Sequence, residues 1–247
     1  MIRGIYTSAS GLVAAQQRMD ELAGNIANVS TTGFKEILAT QADYGTDVGL
    51  ALGDGGAASG IGRLSYGTVA VGATVNRLQG PLITTGNATD LAIAGDGLFV
   101  VGTPDGVAYT RAGDFVLDAE GTLVTQQGYP VLDATGHKIV VPGGAANFSV
   151  SPDGTVGGTG QRLAFIAFPA TGVSLLGENL YAISGPVQPV AAGDGTIQQG
   201  DLEGSNVDLS GSMTELIALQ RLFQMSARSL TMQDQTLEDA NAIGKLK

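Results

Sequence analysis

Residues able to perform catalytic or metal chemistry are few in this chain of 247 residues. The sequence has one histidine, His137, and no cysteine, so a histidine-based triad has a single candidate base and a thiolate metal site has no ligand. His137 precedes Lys138 in a predicted turn, which favours a surface or hairpin role. The candidate serines lack the sequence context of a nucleophile elbow; they are Ser8, Ser10, Ser65 and Ser151. We therefore predict no catalytic residue and no cofactor.

Acidic residues concentrate in turns where an aspartate is followed closely by glycine: Asp96-Gly97, Asp105-Gly106, Asp153-Gly154, Asp194-Gly195, Asp118–Gly121 and Asp133–Gly136. Asp-Gly suits the positive φ angles of tight hairpins. A carboxylate pair such as Asp118 and Glu120 could serve acid–base chemistry, but these two frame a turn. A calcium loop would need alternating oxygen ligands and a distal glutamate, and no segment has that series. The acidic residues are therefore interpreted as turn formers, and no metal site is predicted.

The distribution of charge separates the ends of the chain from its middle. The net charge of −11 argues against a general nucleic-acid binder, because phosphate binding requires clustered lysine and arginine. Residues 1–35 carry +1 and residues 206–247 carry −1, so residues 36–205 hold the remaining −11. Nearly neutral ends are expected if they pack against other chains. The alternative is that acidic turn residues simply accompany β-structure.

The N-terminal residues have the spacing of an amphipathic helix. Ile5, Leu12, Met19 and Ile26 lie seven apart, and a second position follows three residues after each, as with Leu22 after Met19. This is an a/d heptad seam. Asn28 and the Ser30–Gly33 run supply stop signals, so one helix of roughly six turns is predicted.

The C-terminal residues repeat the same period. The predicted seam consists of Leu209, Leu216, Phe223, Leu230 and Leu237. An ordinary amphipathic helix that covers a core would show a similar pattern. That alternative is weakened because both seams lie at the termini, outside the stretch with most of the strand signals. We therefore expect the two helices to pair as a coiled coil that also serves assembly.

The middle of the chain reads as β-structure. Residues 36–205 contain 32 of the 38 glycines, and short β-branched runs alternate with turns from Thr68 onward. Gly45–Gly62 has seven glycines and is interpreted as a flexible connector. The sequence thus predicts an α+β protein with a discontinuous helical domain and a central antiparallel, hairpin-rich β domain. Its expected segments are an axial helix at 1–35, a connector at 36–67, the β domain at 68–205 and an axial helix at 206–247.

Two stretches near the N terminus, Met1–Gly11 and Asn25–Lys35, resemble the flagellar rod and hook axial family. The Asn-Ile-Ala-Asn to Thr-x-Gly-Phe-Lys pattern is the hallmark of that family, so the motif residues are Asn25, Asn28, Thr32, Gly33 and Phe34. Similar segments continue through most of the chain: Thr85–Asn87, Asp90–Ile93, Gly97–Phe99, Tyr109–Arg111, Leu123–Thr125, Gly128–Val131, Leu202–Asp208 and Gln220–Gln224.

The resemblance implies a non-enzymatic rod subunit of the FlgF or FlgG type in the basal body, which crosses the cell envelope. Implied partners are the chain itself, other rod and hook axial proteins, and the flagellar type III export apparatus. Export without a cleaved signal peptide is expected, since charged residues interrupt the first thirty positions. No membrane span is expected anywhere in the chain. In that family the terminal helices form an inner tube inside the β domains. The Met1-Ile2-Arg3 start is similar to the distal type (FlgG) and the modest length to the proximal type (FlgF), so the paralogue stays open.

Two other classes of function remain as alternatives. One is a surface adhesin or secreted β-rich binding module whose terminal coiled coils only oligomerise it. A closed trimer has one finite mass, whereas a head-to-tail contact gives open helical polymers. The other is a hydrolase that uses the acidic turns, for which Asp118, Glu120 and His137 are the candidates.

Overall fold

A computed structural model of the chain describes residues 2–43, 46–52, 58–65, 67–144, 148–169, 172–186 and 195–244. Helix α1 spans Ile2–Ala27 and helix α2 spans Leu209–Gly244, with antiparallel strands between them. The α+β class and the two terminal helices are therefore confirmed. Helix α1 ends beside the predicted stop signals. Neither helix, within these ranges, is long and apolar enough to cross a membrane.

The contacts divide the chain into two compact units. The first unit contains Met1–Ile26, Ile37–Thr74 and Leu209–Lys247, and the second contains Ala27–Glu36 and Val75–Asp208. The first unit thus joins residues from both ends of the chain. The predicted segments follow the sequence, whereas the units follow contacts, so the two divisions are not the same.

The first unit contains strands as well as the helices. Strand β1 (Ile37–Asp43) pairs with β4 (Thr68–Val75), and β2 (Thr46–Leu52) pairs antiparallel with β3 (Ala58–Ser65). The predicted flexible connector therefore contains a hairpin, although Gly45 and residues 53–57 lie outside the described residues. Large side chains alternate with smaller ones in β2, and this period of two favours a strand despite the glycines.

The second unit is built on a five-stranded antiparallel sheet in the order β11-β7-β8-β13-β12. These strands are β7 (Leu98–Thr103), β8 (Gly106–Thr110), β11 (Phe165–Ile166), β12 (Val173–Gly177) and β13 (Leu180–Ile183). Shorter pairs join β5 (Leu82–Thr84) to β15 (Asp201–Glu203), β6 (Leu91–Gly95) to β14 (Gly195–Gln199), and β9 (Val116–Leu117) to β10 (Leu123–Val124).

The Asp-Gly turns differ in what they connect. Asp105-Gly106 lies in the β7–β8 hairpin, and Gly154 donates its N–H to the Ser151 carbonyl in a tight turn, as predicted. Asp96-Gly97 does not form a hairpin, because β6 pairs with β14 and β7 pairs with β8 and β11. There the turn passes the chain from one sheet to another. Asp194 lies outside the described residues.

The core of the second unit is packed on both faces of β7. Phe99 and Val101 point into one buried cluster, which includes Phe115 at 5.1 Å from Phe99 between ring centroids. Leu98 and Val100 point into a second cluster with Phe168 and Tyr181. Because successive strand residues face opposite sides, β7 needs apolar residues at every position from 98 to 101. The buried core of this second unit, which we call the β unit (Ala27–Glu36 and Val75–Asp208), is therefore centred on β7.

Candidate functional site

Asn25, near the end of α1, is buried and pairs with the backbone of Ile37. Its Nδ2 donates to the Ile37 carbonyl at 2.8 Å, and its Oδ1 accepts from the Ile37 N–H at 2.9 Å. Only an amide side chain supplies a donor and an acceptor in this arrangement. The predicted motif residue Asn25 thus ties the end of the helix to the first residue of β1.

The next motif residues form a tight turn. The Asn28 carbonyl accepts from the Thr31 N–H at 3.1 Å, and Asn28 Oδ1 accepts from the Thr31 hydroxyl at 3.1 Å. Phe34 N–H then donates to the Thr31 carbonyl at 3.3 Å, and the Phe34 side chain is buried. These contacts end the helix and hold the short loop that follows it in one conformation.

Gly33 must be glycine for two independent reasons. Its φ is +64°, and a Cβ atom would lie 2.4 Å from the backbone nitrogen of Ala112. Its N–H donates to the Glu203 carbonyl at 2.7 Å. Beside it, the Thr32 carbonyl accepts from Asn179 Nδ2 at 2.7 Å. The segment after α1 is therefore pressed against the backbone of the β unit.

A buried cluster of three charged side chains lies next to Gly33. Glu203 Oε1 is 2.6 Å from Lys35 Nζ, and Glu203 Oε2 is 2.5 Å from Arg111 Nε. All three side chains are at most 3% exposed. Arg111 also donates to the carbonyls of Gly97, Ile93 and Gly95, and Lys35 donates to the Leu78 carbonyl at 2.7 Å. We call Lys35, Arg111 and Glu203 the ion cluster.

The ion cluster depends on its one carboxylate. Burial lowers the pKa of Lys35, and the hydrogen bond and the charge of Glu203 act in the opposite direction. Glu203 Oε1 also accepts from the Gly80 N–H at 2.8 Å. Loss of one partner of a buried ion pair leaves an uncompensated charge, which is much more costly than the pair itself. Glu203 therefore holds three separate segments of the chain together.

Asn206 fastens the segment that leaves the β unit. Its Oδ1 accepts from the Glu36 N–H at 2.7 Å, and its Nδ2 donates to the carbonyls of Asn76 and Leu78 at 3.0 and 2.8 Å. The segment that enters this unit after α1 and the segment that leaves it before α2 are thus held side by side. Lys35, Arg111, Glu203 and Asn206 were not predicted as site residues. Their only sequence signal was their place within segments that resemble the axial family.

A cavity of about 360 Å³ lies beside the motif turn. Its lining includes Asn28, Thr31, Thr32 and Asp114. Burial raises the pKa of Asp114, and a hydrogen bond with the Thr32 side chain partly offsets this effect. The lining residues include no histidine or lysine, and the carboxylates among them are Asp114 and Glu178.

Asp133 and His137, two further side chains that could take part in proton transfer, form hydrogen bonds within a turn. Asp133 Oδ1 accepts from the N–H and hydroxyl of Thr135 and from the His137 N–H. Burial acts to raise the pKa of Asp133, but these hydrogen bonds outweigh it and lower the pKa to about 2. His137 Nδ1 lies 2.8 Å from the Thr135 hydroxyl. Among the described residues, no group of three potential ligands could hold a metal ion.

The two predicted seams differ in exposure. In α1, Leu22 is buried, and Ile5, Leu12, Met19 and Ile26 are half-buried. In α2, Leu216, Phe223, Leu230 and Leu237 are half-buried and Leu209 is 41% exposed. An ion pair between Arg18 and Glu215 links the two helices. Pairing of α1 and α2 as a coiled coil remains a prediction.

Three family models match the chain. A flagella basal body rod protein model matches residues 5–35, a flagellar hook protein FlgE/F/G D1 domain model matches residues 92–158, and a flagellar basal body rod FlgEFG C-terminal model matches residues 198–243. The first covers every predicted motif residue. The last covers Glu203, Asn206 and nearly all of α2.

Similar proteins match over nearly their whole length. The flagellar basal-body rod protein FlgG of Bacillus subtilis is 38% identical over 97% of this chain and 98% of its own. FlgG of Borreliella burgdorferi is 32% identical over 98% of each chain. The flagellar basal-body rod protein FlgF of Rhizobium meliloti is 35% identical over 90% of each chain. The similarity therefore extends through both helices and the β unit.

Proposed function

Because the chain belongs to the flagellar basal-body rod protein family, we propose that it polymerises through its terminal helices into the axial drive shaft of the flagellum. It is a structural subunit of the basal-body rod, and its partners are other rod and hook components. Export by the flagellar type III apparatus and the absence of catalysis are parts of the proposal. The relatives give no support to the adhesin alternative.

The observation that carries the proposal is the exposure of large apolar side chains on α2. Met213, Ile217 and Leu222 are each about half exposed, and the predicted seam residues beside them are only half-buried. A monomeric protein gains stability by covering such surface, and exposed apolar patches of this kind mark sites of association. Contacts with neighbouring subunits would remove this surface from water.

We assign the seams to this assembly. Ile5, Leu12, Met19, Leu22 and Ile26 would form the inner face of α1 in the rod. Leu209, Leu216, Phe223, Leu230 and Leu237 would form the corresponding face of α2. Phe223 lies at the centre of its seam, where truncation to alanine typically costs about 2 to 5 kcal/mol if the side chain is buried.

We assign the motif residues a mechanical role. A shaft that transmits torque needs stiff connections between the helices and the β unit. Asn25 would fix the end of α1, and Gly33 and Phe34 would fix the segment that follows. Their hydrogen bonds and burial support this assignment, since each constrains the backbone rather than presenting a reactive group.

Motility of the source bacterium tests the proposal. Phe223→Ala should abolish swimming and leave basal bodies without a complete rod, whereas Gln224→Ala, an exposed change one residue away, should leave both intact. Far-UV circular dichroism of the purified chain would verify that the β unit still folds. Normal rods built from the Phe223→Ala subunit would contradict the seam assignment.

A second test addresses the lack of catalysis and the position in the rod. Replacement of Asp118, Glu120 and His137 by alanine should leave swimming speed unchanged, and a loss of motility with normal rods would reopen the hydrolase hypothesis. Electron cryomicroscopy of intact basal bodies would place the chain in the proximal or distal layer. If other proteins accounted for every layer of the rod, the rod assignment would be refuted.

A further inference from the structure

A second row of exposed side chains runs along α2, away from the seam residues Leu216, Phe223 and Leu230. It consists of Ile217, Arg221, Met225, Arg228 and Met232, which are spaced by three or four residues and so share one face at about 3.6 residues per turn. Ile217 is 53% exposed, and Met225 and Met232 are each 61% exposed. We call these five residues the basic stripe.

The two arginines of the basic stripe have no described ion partner. Arg221 and Arg228 are the only charged residues between positions 216 and 233, and the salt bridges found among the described residues involve neither. Their guanidinium groups lie beside long apolar side chains. A surface that covers this stripe must therefore offer both apolar contact and carboxylates, the groups that arginine binds in a bidentate manner.

The same helix carries a matching acidic surface further along. Asp234, Glu238 and Asp239 are exposed, and no described salt bridge involves them. Asp234 and Glu238 are four residues apart and point to a different side of α2 from the two arginines. We call Asp234 and Glu238 the acidic cluster; Asp239 is also exposed, but it lies on the side of α2 that carries the arginines. One helix thus presents a basic surface and an acidic surface in two directions.

We propose that the basic stripe of one subunit docks on the acidic cluster of α2 in a second copy of this chain. The inference rests on the proposed function and adds a contact to the seams. Pairing Arg221 with Asp234 and Arg228 with Glu238 requires an offset of 10 to 13 residues, or about 15 to 20 Å along parallel helices. The two surfaces are different, so the contact is heterologous and repeats from subunit to subunit.

This contact would contribute direction as well as affinity. The arginine–carboxylate pairs restrict the offset to this range of 10 to 13 residues, while the methionines adapt to the facing surface. Each subunit would use its basic stripe towards one neighbour and its acidic cluster towards the other. The seams alone would not distinguish these two neighbours.

Charge reversal in full-length subunits tests the contact. The first variant is Arg221→Glu with Arg228→Glu, and the second is Asp234→Arg with Glu238→Arg. Each alone places like charges in every contact and should fail to sediment as polymer. In an equimolar mixture the contacts between unlike variants are again complementary, so polymer should reappear. The control variant Arg221→Lys with Arg228→Lys should assemble, because both positive charges are kept.

The mixture also controls for folding, since a misfolded variant would not be rescued by its counterpart. Assembly of either reversal variant alone, or failure of the mixture, would overturn the proposal. Vesicles with half phosphatidylglycerol provide a further arm. If reversal of the arginines abolished vesicle binding and left assembly unchanged, the stripe would be a lipid-binding surface instead.

The two proposals can fail separately. If wild-type chain complements a deletion strain and enters the rod but both reversal variants also restore swimming, only the stripe contact is wrong. If wild-type chain never enters the rod, the proposed function is wrong, and the sedimentation of mixed variants still decides whether the stripe binds a second copy.

Discussion

Glu203→Gln is the sharpest perturbation of the β unit, because it removes one charge while keeping the side-chain volume. Lys35 and Arg111 would then be two buried cations without a carboxylate. Breaking a buried ion pair in this way costs about 3 to 5 kcal/mol. With a urea m-value of about 2 kcal/mol/M, the unfolding midpoint should fall by roughly 1.5 to 2.5 M. Circular dichroism in the β-sheet band measures this change.

Two further variants serve as comparisons for Glu203→Gln. Lys35→Met leaves Glu203 paired with Arg111 and should therefore destabilise less than Glu203→Gln. Glu120→Gln, in an exposed turn, should change stability by no more than about 0.5 kcal/mol.

The pH dependence follows from Lys35. Its pKa is already below 10.5 because of burial, and loss of Glu203 removes the group that raises it. Between the lowered pKa and 10.5 the unfolded chain binds more protons than the folded chain, so stability rises with pH. Glu203→Gln should thus recover part of its loss towards pH 10. Equal stability of Glu203→Gln and Glu120→Gln, or a larger loss in Lys35→Met, would refute the argument.

Three other changes have defined outcomes. Gly33→Ala should lower the unfolding free energy by about 2 to 5 kcal/mol through positive φ and a backbone clash, whereas Gly136→Ala, with φ +84° and open space, should cost only about 1 to 2 kcal/mol; urea titration compares them. Gly11→Ala has no atom in its way and should stabilise α1 by about 0.5 to 1 kcal/mol, seen as greater helicity; a decrease would show that α1 is distorted there. Glu178→Gln should lower the pKa of Tyr129, which its hydrogen bond and charge now raise, and an unchanged phenolate absorbance titration would contradict this.

Periodicity predicted the helices because helix formation is governed by local spacing. The heptads ended at the polar residues after Ile26, and α1 ends at Ala27. The β2–β3 hairpin was missed because the glycines of Gly45–Gly62 were weighted as chain breakers. Val48, Leu50 and Leu52 alternate with Gly49 and Ala51, and this period of two was the available signal for a strand.

The ion cluster could not be predicted from spacing. Lys35 and Glu203 are 168 residues apart, and Arg111 and Glu203 are 92 apart, so no local pattern relates them. Each looks like an ordinary surface charge until the fold buries it. The motif residues were found only through resemblance, since Gly33 and Asn25 are common residue types whose importance lies in a φ angle and in a pair of backbone hydrogen bonds.

The constraints around Gly33 give this short motif a structural reason. The Gly33 N–H bonds the Glu203 carbonyl, and the Glu203 carboxylate bonds Lys35 two residues further on. The segment after α1 and the segment before α2 therefore fix each other within the β unit. A change at either one disturbs the other, because the carboxylate and the carbonyl belong to the same residue. In the proposed drive shaft, a loose connection at either segment would bend locally under rotation, so this coupling would help to pass rotation to the next subunit.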